Sequence, residues 1–246
     1  MRGLLAVTAL AGLGALAVWI WTAPALRANS VRVVGTTDPE LVTAVRALPM
    51  AGCFVLLCDT QRDAALVEGI PTIARAQVSF ALPGTLVIDV TPRTPALVWR
   101  AYGDNFLVGG DGVVIGLAGA SDQTQLAAVD DPQGAALTAG NARAGGRLPA
   151  ALVEMAVELR SRLPGIVGHD VTLSYDRDAG LVADDGHGLR IAFGDPSQPP
   201  NDAPSGTAGQ LAELRVMLDA VAQRGQRAAW IDLRWGTHPA YRLADS

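Results

Sequence analysis

Ile73-Ala74-Arg75-Ala76-Gln77-Val78-Ser79-Phe80-Ala81, Leu82-Pro83-Gly84 and Thr85-Leu86-Val87-Ile88-Asp89-Val90-Thr91 read as two strands joined at a Pro-Gly turn. In the second, Leu86, Ile88 and Val90 alternate with Thr85, Val87 and Asp89, the period of a strand with one buried face. Upstream, Asp59 or Thr60 opens a short predicted helix with Ala64, Leu66, Val67 and Ile70 inward, closed by Pro71. Before it, Asp38 is a plausible N-cap with Pro39 at the first helical position, and Leu41, Val45 and Leu48 recur at helical spacing. Ser30-Val31-Arg32-Val33-Val34, stopped by Gly35, reads as a further strand. The predicted order is β-α-α-β-β.

Between the two helices, Cys53 and Cys58 flank Phe54-Val55-Leu56-Leu57. That run reads as extended, which separates the two Cα atoms by roughly 16 Å. A disulfide needs them within about 7 Å, so the pair reads as two small buried hydrophobes; a bridge would require a tight turn.

Outward toward the N-terminus, Gly3 to Ala25 contains no charged residue. A helix of about 20 residues crosses the ~30 Å hydrocarbon core, and Trp19 and Trp21 sit near its outer end, where indoles favour the headgroup zone. The segment reads as an uncleaved anchor with Met1 and Arg2 inside. Ala23-Pro24-Ala25 resembles a signal-peptidase site, but the apolar run exceeds the usual ~7–15 residues of a signal peptide. Both readings export the remainder.

Toward the C-terminus, Ala96–Trp99, Asn105–Val108 and Gly112–Ile115 read as short strands, and 122–146 as a Gly/Ala-rich loop. Pro149 opens a helix with Leu152, Met155, Ala156, Leu159 and Leu163 on one face. Val171–Tyr175, Gly180–Ala183 and Leu189–Phe193 follow as a meander. Gly194–Gly206 is a proline-rich polar stretch expected to be mobile. Thr207 starts a helix with Gln210 in a capping-box position, Leu211, Leu214, Leu218 and Val221 inward and Gly225 past its end. A last strand is expected over Trp230–Trp235 with Ile231, Leu233 and Trp235 on one face, followed by Thr237-His238-Pro239 and Ala240–Leu243.

Composition narrows the function. Of 246 residues, 50% are hydrophobic and 17% charged, with a net charge of −5, so a packed core is expected and the basic footprint of a nucleic-acid binder is missing. His169, His187 and His238 are far apart in sequence and belong to no cluster with metal-ligand spacing. Gly109-Gly110-Asp111-Gly112 lacks the lysine of a phosphate-binding loop and reads as a turn. No serine nucleophile elbow is present. Asp232 and Arg234 are placed to pair on one strand face. The chain reads as non-enzymatic, without cofactor or metal.

Taken in order, several stretches resemble the FtsQ/DivIB family of bacterial cell-division proteins. They are Val31-Arg32-Val33-Val34-Gly35, Gly52-Cys53-Phe54-Val55, Ile70-Pro71-Thr72-Ile73-Ala74-Arg75-Ala76-Gln77-Val78, the line from Leu82 to Pro95, Asp111-Gly112-Val113-Val114, and Trp230-Ile231-Asp232-Leu233-Arg234-Trp235. Pro92 stands where the family commonly has glutamate, the cytoplasmic tail is nearly absent, and Gly194–Gly206 is longer than usual. The resemblance implies an α+β fold: a tail over 1–2, a transmembrane helix over 3–25, a POTRA domain over 28–95, and a C-terminal β domain over 96–246 with two packed helices and the loop at 194–206. It also implies a bitopic divisome scaffold of the inner membrane and septum. Such a scaffold binds the coiled-coil proteins FtsB (DivIC) and FtsL, and meets other divisome proteins through its POTRA domain. Carried over by position, the partner contacts fall on Trp235, Thr237, His238, Ala240, Tyr241 and Leu243. Two other readings remain open: another POTRA-containing envelope transport or assembly component, and a cell-wall enzyme using His169 or Asp185.

Overall fold

A computed structural model describes residues 12, 14–15, 18–19 and 26–244, apart from 51, 55–56, 198–205 and 236–238. The reading of 3–25 as a membrane span therefore falls mostly outside the described residues, among which no helix is long and apolar enough to cross a membrane. The chain divides into two compact units, 1–93 and 94–246.

The smaller unit contains β1 (Ser30–Val34), α1 (Pro39–Arg46), α2 (Thr60–Glu68), β2 (Ile73–Ala81) and β3 (Thr85–Pro92). Its sheet runs β1-β3-β2, with β1 parallel and β2 antiparallel to the central β3. Asp38 caps α1 by accepting from the Glu40 N–H at 2.9 Å, and Asp59 caps α2 by accepting from the Arg62 N–H at 3.0 Å. Leu41 and Val45 from α1 and Val67 from α2 join Leu86, Ile88 and Val90 from β3 in the core. Leu66, expected inward, is exposed; one helical position from Val67, it falls outside the narrow stripe that α2 buries. Gly35 has φ +87°, and a Cβ there would lie 2.1 Å from the Val90 carbonyl oxygen, so β1 ends where only glycine fits.

The 53–58 run is a turn, not a strand. The Leu57 and Cys58 N–H groups both donate to the Phe54 carbonyl, at 2.8 and 2.9 Å. This brings the cysteine Cα atoms to 5.3 Å, and Cys53 and Cys58 form a disulfide. The expectation of two free buried thiols is thus overturned: the hydrogen bonds to the Phe54 carbonyl fold the run back on itself, so the extended spacing that would hold the cysteines apart is never reached.

The larger unit is a nine-stranded mixed sheet in the order β12-β11-β10-β9-β8-β7-β4-β5-β6. Strands β4 (Pro95–Ala101), β5 (Asp104–Gly109) and β6 (Val114–Leu117) form an antiparallel meander. Helix α3 (Ala120–Gln125) then leads to β7 (Ala127–Asp130), which lies parallel to both β4 and β8. Thus 122–146, expected to be a loop, holds a helix and a central strand. Ala127-Ala128-Val129 is too short to show a period, and its pairing comes from strands distant in sequence. Helices α4 (Ala150–Arg162) and α5 (Pro164–Val167) connect β7 to the antiparallel trio β8 (Thr172–Asp176), β9 (Gly180–Asp184) and β10 (Arg190–Gly194). Helix α6 (Gly206–Gln223) crosses to β11 (Ala228–Asp232), parallel to β10, and β12 (Ala240–Leu243) pairs antiparallel to β11.

Leu152, Val153, Met155, Ala156 and Leu159 of α4 share one core with Leu211 and Leu214 of α6 and with the sheet residues Leu97, Trp99, Leu173, Leu181 and Ile191. Gln210 is not a cap. It is buried, and its amide donates to the carbonyls of Phe193 at 2.8 Å and Leu233 at 3.0 Å, tying α6 to β10 and to the chain beyond β11. Asp131, immediately after β7, is fully buried. Its carboxylate accepts from the Trp99 indole at 3.0 Å and from the N–H groups of Ala135 (2.7 Å), Ala136 (3.1 Å) and Leu137 (3.0 Å). A buried carboxyl side chain is tolerated in the interior when four donors converge on it.

Candidate functional site

Strand β12 is the terminal strand of the large sheet. Its register fixes which backbone groups face outward. The Leu233 N–H donates to Ala192 on the β10 side of β11, at 2.9 Å. By alternation, Trp230 and Asp232 face β12, where they pair with Arg242 and Ala240. The Ala244 N–H, two positions on from Arg242, donates to Arg227 at 2.9 Å. Ala240 and Arg242 therefore spend their backbone groups on β11, whereas Tyr241 and Leu243 turn theirs outward. Such a row is the template on which a further strand can pair.

Both faces flanking this edge carry aromatic and cationic groups. Across neighbouring strands runs the lateral row Asp184, Arg190, Trp230, Arg242. The Arg190 guanidinium lies 5.7 Å from the Trp230 ring centroid and 3.6 Å from the Asp184 carboxylate. On the opposite face, Tyr241 stands beside buried Ile231, and its hydroxyl accepts from Arg224 at 3.1 Å.

β11 stops at Asp232 because the Asp232 carboxylate accepts from the Arg234 N–H at 3.1 Å and turns the chain. The same carboxylate accepts from the guanidinium at 2.6 and 2.9 Å, and the guanidinium also donates to the Asp178 carbonyl at 2.7 Å. Burial raises the Asp232 carboxyl, but the Arg234 bonds and charge, with a bond from Trp235, hold it below the usual carboxylate range. Arg234 is correspondingly raised by its bond to Asp232. Trp235 consequently does not share a face with Ile231 and Leu233. It stands in the turn, 54% exposed, with Arg234 5.9 Å from its ring.

Of the sequence-derived contact residues, Ala240 and Tyr241 are exposed on β12, Leu243 is half-buried on it, and Trp235 is exposed in the preceding turn. Thr237 and His238 lie outside the described residues. Trp230, Arg190 and Arg224 were not among the expected residues. Only Trp230 had a local signal, an aromatic alternating with Ile231; the arginines reach this edge through pairing that sequence spacing does not reveal.

The other candidate centre changes as well. His169 and His187, distant in sequence, stack with ring centroids 4.2 Å apart. The Asp185 carboxylate is taken up by the N–H groups of His187 at 2.7 Å and Leu189 at 2.9 Å, which shape the β9–β10 turn. Among the described residues, no group of three or more His, Cys, Asp or Glu is placed to hold a metal ion.

Fold and edge together define a two-unit α+β protein whose larger sheet ends on a strand open to pairing. No family model matches the sequence. Among characterised proteins, it is similar to the cell division protein FtsQ of Chloroflexus aurantiacus, 28% identical over 171 residues, covering 68% of this chain and 60% of the relative. It is also similar to FtsQ of Chloroflexus aggregans, 33% identical over 36% of this chain and 33% of the relative. FtsQ of Corynebacterium glutamicum is 30% identical over 41% of this chain and 47% of the relative. The matches thus span from a third to 60% of the relatives' lengths. These three homologues support membership of the FtsQ/DivIB family of cell-division proteins.

Proposed function

We propose that the protein is a bitopic scaffold of the division machinery. In this reading residues 3–25 span the cytoplasmic membrane and the smaller unit, with its β-α-α-β-β order, is a POTRA domain that meets other divisome proteins. The larger unit takes a segment of an FtsB/DivIC-like protein, in complex with an FtsL-like protein, onto β12. The supporting observation is the outward-facing backbone of Tyr241 and Leu243 at the end of a nine-stranded sheet. Main-chain pairing supplies affinity there, and the flanking Trp235, Tyr241 and Trp230 supply anchors that select the partner's alternate side chains. A scaffold needs no convergent catalytic set, which favours this reading over a cell-wall enzyme.

The test is binding of the full chain, in bilayer discs, to the extracytoplasmic segments of the FtsB-like and FtsL-like proteins of the same organism. Tyr241→Pro removes an outward donor while leaving the inward β11–β12 bonds at Ala240 and Arg242 in place. Tyr241→Ala removes only the side chain. Strand addition predicts that the proline variant loses binding and that the alanine variant keeps a weakened share of it. Equal binding by the parent and the folded proline variant would refute the edge as the contact.

A further inference from the structure

The smaller unit exposes three large hydrophobic side chains among its described residues from 26 onward: Leu57, Leu66 and Leu82. Single exposed leucines are ordinary. The placement of these is not. The two most exposed, Leu57 at 66% and Leu82 at 70%, lie on two different loops, and both loops are stitched to the same four consecutive residues, 27–30. On one side, Arg27 bridges to Phe54, the Ala28 N–H donates to Cys53 at 2.9 Å, and the Gly52 N–H donates back to Ala28 at 2.8 Å. On the other, the Asn29 and Ser30 N–H groups both donate to the Gly84 carbonyl, at 2.8 and 3.2 Å.

Residues 27–30 follow directly on the uncharged segment that ends at Ala25. Two residues of chain reach at most about 7 Å. Where Ala25 lies at the bilayer surface, both loops are held close to that surface. The sequence inside the first loop, Phe54-Val55-Leu56-Leu57, has no polar side chain, and the Cys53–Cys58 disulfide closes it. Exposed Arg27 sits at the seam, where a guanidinium suits phosphate headgroups.

We propose that the 53–58 and 82–84 loops form a membrane-docking face that inserts Leu57 and Leu82 into the bilayer beside the exit point of the N-terminal segment. The occupant is the lipid surface of the membrane that holds the chain. This rests on the reading of residues 3–25 as a membrane span. Two leucines are a weak anchor for a free protein. Contact here is intramolecular, because the anchor holds the loops at the surface, so a weak contact suffices to seat the unit. The consequence is orientational: the smaller unit is held upright on the membrane instead of swinging about residue 26.

The test uses the full chain reconstituted in bilayers with acyl chains brominated near the headgroup, compared with unbrominated bilayers. In the parent, Trp19 and Trp21 report whether the N-terminal segment lies in lipid. In a Trp19→Phe/Trp21→Phe background, whose remaining emission is subtracted, Leu57→Trp and Leu82→Trp each place an indole at one loop tip. The expected result is blue-shifted emission from both new indoles and its loss in brominated bilayers. If Trp19 and Trp21 are quenched while either new indole is not, the docking face is refuted and the span stands. If Trp19 and Trp21 are not quenched, the spanning reading fails and takes the docking face with it.

Discussion

Replacing Asp131 is the sharpest test of how the larger unit is held together. The carboxylate gathers four donors. Two of these bonds, from the Trp99 indole and the Leu137 N–H, are buried, and those from Ala135 and Ala136 are partly buried. Asp131→Ala leaves all four donors unsatisfied in a site that no longer accepts hydrogen bonds. A buried orphaned donor costs about 1–3 kcal/mol, so the two fully buried ones put the loss near 4 kcal/mol. With a urea m-value of about 2 kcal/mol/M, the unfolding midpoint of the larger unit falls by about 2 M. Asp131→Asn is milder. Its amide oxygen, in the Oδ2 position, keeps the bonds from Trp99, Ala136 and Leu137, while its NH2 faces the Ala135 N–H; a loss of about 1–2 kcal/mol is expected. Urea unfolding of the full chain in mild detergent, followed by tryptophan emission, reads both. A loss below ~1 kcal/mol for Asp131→Ala, or equal losses for the two variants, would refute the argument that the carboxylate organises this turn.

Three further outcomes are expected. Asp232 has a folded-state pKa below the ordinary value, so its stabilisation is full above about pH 4 and is lost as pH falls through the depressed value. The stability difference between the parent and Asp232→Asn should therefore shrink on acidification below about pH 4, which unfolding midpoints across a pH series will reveal; a constant difference would contradict it. Joint Cys53→Ser/Cys58→Ser replacement reopens a short loop and should cost the smaller unit about 2 kcal/mol, measured as a lowered denaturation midpoint under non-reducing conditions. Finally, Gln210→Leu abandons the carbonyls of Phe193 and Leu233 and should destabilise the larger unit by about 1–3 kcal/mol; a neutral result would mean that apolar packing of α6 suffices.

Where local chemistry decides structure, the sequence was readable. Asp38 before Pro39, the alternation of Leu86, Ile88 and Val90, and the apolar stripe from Leu152 to Leu159 each name an element without reference to the rest of the chain. Where long-range partners decide, it was not. β7 is four residues of modest hydrophobicity made into a central strand by β4 and β8. The disulfide depends on a turn that the apolar letters of 54–57 disguise. Asp131-Pro132-Gln133-Gly134 signals a turn, and the Gly134 N–H does donate to the Asp131 carbonyl at 2.9 Å, but nothing local points to Trp99, thirty-two positions upstream. At the candidate edge, the extended run from Ala240 to Leu243 was legible. Which backbone groups face outward was not, because that follows from the β11–β12 register.

That register makes the central claim directly measurable. Amide hydrogen exchange, resolved by residue along 240–244, should be compared in the full chain with and without the FtsB-like segment. Strand addition predicts alternation: Ala240 and Arg242 amides, already turned toward β11, change little, while Tyr241 and Leu243 amides become strongly protected on binding. Protection that appears elsewhere, or that leaves Tyr241 and Leu243 exchanging as in the free protein while the partner is bound, would contradict strand addition at this edge.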